Sequence, residues 1–546
     1  MGGELGSLVA SQLEAEPWVG SLVGIDVDPP RRRLRKAEFH LLQPSQRDRI
    51  VEVVTSFNPH VLINLSVWEP DARAGLAHAR RFTADATTAI VGAAAECPAL
   101  ESMVVRSGIE VYGRAHNTPT RPTEIAPLHP TTEYGRMLAN IEQSARDVGG
   151  RVGIAVGKLR LAPVLGKHVP SPLGRLLRQP LVPFSMMADS PFAVIEDGDA
   201  ARAFVAAAAM RLDEPLNIVA SGAITALQAI LRGKRVPLPL VGPEWAIARQ
   251  LSHLFGAPIP EHVVELMHRG RLADGSRALE VLGLRPFRHA RRHRPSLCVG
   301  ERHPRRQRPG GGLMADLIEF PKKVAELAGN ALAEPLRRWP VHSVDDFGRD
   351  PHLVGLLMPF ARLRWNVGVG GIDHLPTRGG ALLVCNSRRW ALSSIYAALA
   401  LGEATGRPVR FVGRPDIAPI GPFMRRIGGL LERPDEVLGA LRNHELVLMS
   451  CAATNHARHA GKVDHHLVGA AVLTNSPVFP VATMSSAIGR TARAEVGAQV
   501  RARRKRKGPL AELELAEQTQ HHLQRMLDGF GGMQTGVAPL DWLAEG

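Results

Sequence analysis

Cysteine is scarce: four residues, Cys97, Cys298, Cys385 and Cys451, in a chain of 546. They lie far apart and in no metal-ligand spacing. That excludes a disulfide framework and a zinc site, and it points to a reducing, cytoplasmic compartment. No secretory leader is expected, because Glu4 and Glu14 interrupt the start and no apolar core follows a basic leader. No apolar run is built to span a membrane. Leu467–Gly489 is uncharged, but Asn475, Pro477 and Pro480 break it, so it reads as two buried strands and a turn. Acids are in deficit, 52 against 67 Lys and Arg, for a net charge of +15. The excess is local. Arg288–Arg308 holds eight Arg and one Glu, and Arg501–Lys507 holds six basic residues, which together leave the rest of the chain nearly neutral.

What is present is organised around the first of these tracts. Arg288–Gly312 has no apolar periodicity and closes on Pro309 and three glycines, as an exposed linker does. With 45% hydrophobic residues, each flanking half can bury a core of its own. The expected organisation is a domain over 1–287, a linker over 288–314 and a second domain over 315–546. Met314 follows the linker as a start codon would, so two adjacent genes read as one chain is a further expectation. The basic run Arg501–Lys507 precedes an amphipathic helix expected over Leu510–Leu527. Together they suit an anionic membrane surface on the inner face of the membrane, and no specific nucleic acid. A packed helix after a solvated basic loop is the plainer alternative. Leu317–Trp339 is amphipathic in the same sense.

In the first half, Glu4–Leu13 has a helical pattern and Trp18–Val27 reads as a strand that ends in Asp26. A glycine turn, a helix, a strand and an acid form the later part of a dinucleotide-binding unit. Gly3 and Gly6 let backbone approach a pyrophosphate, and Asp26 accepts hydrogen bonds from a ribose. The first glycine and first strand of such a unit would fall before Met1, which makes a start internal to the true reading frame the expectation. Strands follow at Val61–Leu65, Met103–Val105, Arg151–Leu161 and Pro215–Val219, with a helix at Ala200–Met210. With GIDVD, Ser107-Gly108-Ile109-Glu110-Val111-Tyr112-Gly113, Tyr134-Gly135-Arg136, Leu159-Arg160, PLNI and LGLRP, residues 1 to about 290 resemble the extended short-chain dehydrogenase/reductases, the NAD-dependent epimerases and dehydratases. The resemblance implies a Rossmann-like doubly wound parallel sheet and NAD or NADP as cofactor. It places the catalytic Tyr at Tyr134. Leu138 stands where that family has Lys, Gly108 where it has Ser (with Ser107 one place early), and Gln43 where an acid is common.

The second half runs LRWNVGVG, GIDHLP, GALLVCN, PVRFVG, ELVLM and VFPVA, with Gly428 to Arg433 between. Over roughly 340–500 this resembles the glycerol-phosphate (lysophosphatidate-type) acyltransferases, which implies an α/β domain. It also implies an acyl-CoA or acyl carrier protein donor and a lysophospholipid acceptor. That family uses a His–Asp pair after the Asn. Here Ser387 replaces the His, and Arg388-Arg389-Trp390-Ala391-Leu392-Ser393-Ser394 holds no carboxylate. Met449-Ser450-Cys451-Ala452 replaces a Phe-Pro-Glu-Gly motif. Arg433 keeps the phosphate-binding place and Arg388 adds a cation. Ser387 without a base is not an activated nucleophile, and Cys451 reads as buried and inert. His444, His456, His459, His465 and His466 lie nearby, with no carboxylate or thiol at ligand spacing, so no metal site is expected.

The combined reading is a two-domain bacterial-type protein of envelope or lipid metabolism. Both catalytic sets are broken, so three functions stay open: an epimerase or dehydratase with an altered base, an acyltransferase with a non-family base, and a pseudoenzyme that binds nucleotide or lipid as a scaffold.

Overall fold

The computed structural model describes residues 1–240, 259–283 and 344–530, except 73, 117, 180, 186–188, 389–391, 418–419, 455–457, 486–489 and 502–507. The linker 288–314, the stretch 317–339, most of the run from Arg501 and His456 lie outside the described residues. The chain divides into two compact units, Met1–Thr118 with Pro122–Asp346, and Pro119–Arg121 with Phe347–Gly546.

The first unit holds strands β1 (Leu22–Asp26), β2 (Ala37–Leu41), β3 (Val61–Asn64), β4 (Ser102–Gly108) and β5 (Ala155–Leu161). After them come β6 (Val164–Leu165), β7 (Leu181–Ser185), β8 (Ile195–Glu196), β9 (Pro215–Ile218) and β10 (Val236–Leu240). Its main sheet is parallel, in the order β3-β4-β5-β9. A second parallel pair, β1-β2, is not hydrogen-bonded to it. The α/β, parallel, Rossmann-like character expected of the first half is present, with the sheet divided between β1 and β3. Parallel strands are covered on both faces and run apolar as a result. Met103, Val104 and Val105 of β4 are fully buried, as is Leu138 on the helix Glu133–Val152. That helix starts where the Thr132 hydroxyl accepts from Gly135 N at 3.2 Å, and it stops at Gly153, whose φ of 79° suits glycine. The alanine-rich helix Asp197–Ala209 buries Ala200, Ala201, Ala203, Ala207 and Ala208. Small side chains let its backbone lie close to its neighbours.

The second unit is one seven-stranded sheet. Its strands are β11 (Asn366–Gly370), β12 (Ala381–Cys385), β13 (Val409–Val412), β14 (Gly429–Leu430), β15 (Leu446–Ser450), β16 (Val478–Ser485) and β17 (Thr491–Val496). The order is β11-β17-β16-β12-β15-β13-β14, parallel except for β16 against β17. Every residue of β12 is buried, as expected of a central strand.

Three sequence expectations change. Residues 151–152 end a helix, so the strand expected from Arg151 starts at Ala155. Leu467–Gly489 does not begin with a strand, because His465–Thr474 is a helix, and among the described residues of the stretch the extended part is Val478–Ser485. Asp464 caps that helix, its Oδ1 accepting from His466 N at 2.8 Å, and Asn475 ends it at φ 55°. The helix expected over 510–527 forms as Pro509–Gly529, but Leu510 and Leu513 are exposed. Its buried stripe is Ala511, Leu515, Ala516, Thr519, Leu523 and Leu527. This face is packed on its own unit, as the plainer alternative had it. No helix among the described residues is long and apolar enough to cross a membrane.

Candidate active site

A cleft of about 1230 Å³ opens in the first unit. At one end it is lined by Gly3, Gly6 and Asp26, at the other by Arg106, Gly108, Glu110, Tyr134 and His262. Residues of both β1 and β3 form its walls. Gly3 is the N-cap of the helix Glu4–Leu13 and offers no side-chain cap. The N–H groups of that first turn therefore have no intrahelical acceptor, the arrangement that binds anions. Asp26 ends β1. Its Oδ2 accepts from Met1 N at 2.8 Å and Gly2 N at 2.7 Å, and its Oδ1 from Val27 N at 2.7 Å and Asp28 N at 3.3 Å, so the carboxylate ties the glycine turn to the strand end. A ribose hydroxyl would take its place at this carboxylate by displacing one of these donors. Gly3, Gly6 and Asp26 are thus brought together as the sequence predicts.

The far end of the cleft differs more. β4 carries the place where the family has its hydroxyl, and side chains alternate across a strand. Ser107 therefore faces away from Gly108. Its hydroxyl donates to Glu142 Oε1 at 2.6 Å, inside a buried network. There Arg160 grips Glu142 through two bonds, 2.9 and 2.8 Å, and donates to the Tyr112 hydroxyl at 2.7 Å. Tyr112 donates to Asn217 Oδ1 at 2.7 Å. The Tyr of V-Y-G, the Leu-Arg pair and the Asn of PLNI are therefore one structural lock. A side chain at Gly108 requires its neighbours to move. A Cβ there would overlap the Glu110 carboxylate and come within 2.9 Å of Leu138 Cδ1. Burial pushes the Glu110 carboxyl above the ordinary carboxylate range, against the pull of Arg271 and His262. Arg271 Nη1 lies 3.4 Å from it.

Residues 1–209 match the model of the NAD dependent epimerase/dehydratase family. The first unit carries an epimerase/dehydratase-type domain. Uncharacterized proteins of Mycobacterium tuberculosis and Mycobacterium bovis are each 26% identical to this chain over 293 residues, 52% of it and 77% of theirs. MoeE5 in complex with UDP-glucuronic acid and NAD is similar at 20% identity and a TM-score of 0.43, over 54% of this chain and 93% of that one. UDP-glucose 4-epimerase from Thermotoga maritima, with UDP-glucose, is similar at 16% identity and a TM-score of 0.43, over 54% and 93%.

In the epimerase-type domain, Tyr134 lines the cleft in the first turn of its helix and is buried. Burial pushes its phenol far up. Glu69 and Glu110 push the same way, while the Arg106 side chain, hydrogen-bonded to it, pulls back. Leu138, one turn on, is wholly buried and supplies no charge. Beside Tyr134 stand residues that motif reading passed over. The His262 ring lies over the Tyr134 ring with centroids 4.6 Å apart, and its Nε2 is 3.1 Å from Glu69 Oε1. His262 comes from a helix, Glu261–Arg269, some 130 positions along the chain from Tyr134, and Glu69 from the loop after β3. Only the fold joins them, and no local spacing could have pointed to the pair.

In the second unit, Ser387, Cys451 and Arg433 follow the carboxyl ends of β12, β15 and β14, the edge where open α/β sheets bind ligands. The Asn386 side chain spans to β16. It donates to Thr483 O at 2.8 Å and accepts from Thr483 N at 2.7 Å. The Ser387 carbonyl accepts from Thr454 N at 2.9 Å, and Arg388 bridges to Thr454 through its backbone. Arg433 pairs with Asp435 at 3.0 Å. Burial pushes the Cys451 thiol up to about 12 and that of Cys385 further, which disfavours the reactive thiolate in both. His465 and His466 stack at 4.0 Å at a helix start, and no group of three metal-ligating residues occurs among the described residues.

Proposed function

We propose that the first unit binds a nicotinamide dinucleotide in this cleft and serves epimerase- or dehydratase-type chemistry on a nucleotide-activated sugar. The carrying observation is the cleft itself. It runs from an uncapped helix start and a strand-end carboxylate to a buried Tyr at the family's catalytic position. These residues fit the group. The helix start and the Gly3–Gly6 backbone would hold the pyrophosphate, and Asp26 the adenosine ribose. A carboxylate repels a 2′-phosphate, which favours NAD over NADP. When bound, the nicotinamide supplies a hydride acceptor. The chain's own residues orient the substrate, exclude water and move its proton. Tyr134, without a Lys and with its phenol pushed up by burial, acts as a hydrogen-bond donor and not as a base.

For the second unit we propose an acyltransferase-like fold that binds a phosphorylated glycerolipid at the carboxyl edge of its sheet, with Arg433 and Arg388 as the cations. The chain then belongs to envelope or lipid metabolism, peripheral to the inner face of the membrane. Among the described residues no base is hydrogen-bonded to the Ser387 hydroxyl, and burial raises both nearby thiols, which supports binding without transfer in this unit.

Calorimetry on the full chain tests both parts. NAD should bind at least about tenfold tighter than NADP, a difference of about 1.4 kcal/mol, and Asp26→Ala should narrow that gap. NADP binding as well as NAD, or neither binding, defeats the cofactor reading. Acyl transfer from acyl-CoA to lysophosphatidate by the intact protein defeats the binding-only reading of the second unit.

A further inference from the structure

We propose that His262, held by Glu69, is the proton-transferring group of the cleft, acting on a hydroxyl of the substrate in place of the family's Tyr–Lys pair. The proposal rests on the dinucleotide reading above and names the residue that serves it.

Four observations carry it. Tyr134, the expected base, faces an Arg106 hydrogen bond and two carboxylates and has no Lys within reach of its helix turn. Gly108 leaves no hydroxyl beside it, and the Glu110 carboxylate occupies that room. The His262 ring lies over the Tyr134 ring and lines the same cleft. Glu69 takes Nε2 at 3.1 Å, which leaves Nδ1 as the ring nitrogen for a reacting hydroxyl. A carboxylate on one ring nitrogen fixes the tautomer and the ring plane and offsets the charge of the imidazolium. Imidazole is the side chain that exchanges protons near neutral pH, whereas a buried phenol does not. The charged and titratable groups around the ring are Glu69 from the loop after β3, Arg106 from β4, Glu110 with Arg271, and Tyr134.

The step is a proton transfer. The substrate O–H bond breaks, an N–H bond forms at Nδ1, and the electron pair stays on the alkoxide oxygen. Tyr134 remains protonated and donates to that oxygen. In the reverse direction the imidazolium returns the proton.

The test uses the full chain. Diethyl pyrocarbonate acylates the neutral ring, and peptide mass spectrometry reads the rate at His262. The proposal expects His262 to react through the cleft, at a rate that falls in Glu69→Gln because the ring is no longer oriented by the carboxylate. An unreactive His262 in a protein whose exposed histidines react, or equal rates in the two proteins, overturns it. With NAD and UDP-glucose as the probe, His262→Gln should slow nicotinamide reduction roughly a hundredfold or more, against a smaller loss in Tyr134→Phe. The opposite ranking returns the role to Tyr134. Absence of NAD binding by calorimetry would sink the dinucleotide reading alone, because the labelling profile is measured without NAD.

Discussion

The two units hold their polar groups differently around the positions that the sequence singles out. In the first, Leu138 and Gly108 stand in the places of a cation and a hydroxyl, yet the surrounding cleft holds Glu69, Arg106, Glu110, Tyr134 and His262. In the second, Asn386 is bonded to Thr483, and the thiols of Cys385 and Cys451 are pushed up by burial. A site that keeps titratable groups around an open cavity can still move protons. Polar groups tied to neighbouring strands hold the sheet together instead. The contrast favours the binding-only proposal for the second unit over the same proposal for the first.

The strongest way to break this contrast is to attack the lock behind the first site. Glu142→Ala leaves Arg160, 3% exposed, as an uncompensated buried charge and strips partners from Ser107. It should cost about 3–5 kcal/mol, read as a shift of the first unit's transition in urea. A double change, Glu142→Leu with Arg160→Leu, should cost less because no charge is left unpaired. If the single change is harmless, the motif residues Tyr112, Arg160 and Asn217 are not the lock described.

Next in size is Glu124, whose backbone carbonyl and carboxylate hold Arg160 and Asn217. Burial pushes its carboxyl up to about 7, with Asp274 adding to the rise and the Asn217 N–H and Arg160 opposing it. An acid raised in the folded state binds its proton there before it does in the unfolded chain. Its stabilisation is complete below the ordinary value of about 4.5 and is lost as pH rises towards 7. The loss amounts to about 3 kcal/mol at most. Melting temperature should fall over that window, and Glu124→Gln, which keeps the acceptor for Asn217 N, should flatten the fall. Stability that instead rises with pH equally in both proteins contradicts the assignment.

A smaller effect is expected where family chemistry is put back. Gly108→Ser introduces a Cβ into the space of the Glu110 carboxylate and should cost about 1–3 kcal/mol. Glu110→Ala in the same chain should recover part of it. A stable, more active Gly108→Ser would mean that the cleft had kept room for the ancestral hydroxyl.

Much of this architecture was legible because local signals agreed with the fold. Glu4–Leu13, β12 and the helix after Gly508 each carry the period or the apolar run of their element. The helix His465–Thr474 was misread because its stretch is apolar all round, which periodicity cannot tell from a strand. Its caps Asp464 and Asn475 were the deciding signal. Gly3, Gly6, Asp26 and Tyr134 were legible as a linear order of motifs. Glu69 and His262 were not, since a pair 193 residues apart leaves no spacing to read. In the last helix Leu510 and Leu513 are apolar yet exposed, because the buried face of its first turns runs through Ala511 and Leu515.

The smallest expected effect is none at all, and it bears on the second unit. Cys385 and Cys451 end or follow adjacent strands, where a replacement nucleophile would have to stand. A cysteine attacks a thioester as its thiolate and not as its thiol, and burial raises both thiols. A maleimide should therefore leave both unlabelled in the native protein and label them after denaturation, as peptide mass spectrometry would show. Cys451→Ser should leave lipid and acyl-CoA behaviour of the full chain unchanged. Native labelling of Cys451, with loss of acyl transfer in the Ser variant, would turn the second unit back into an enzyme and erase the contrast with the first.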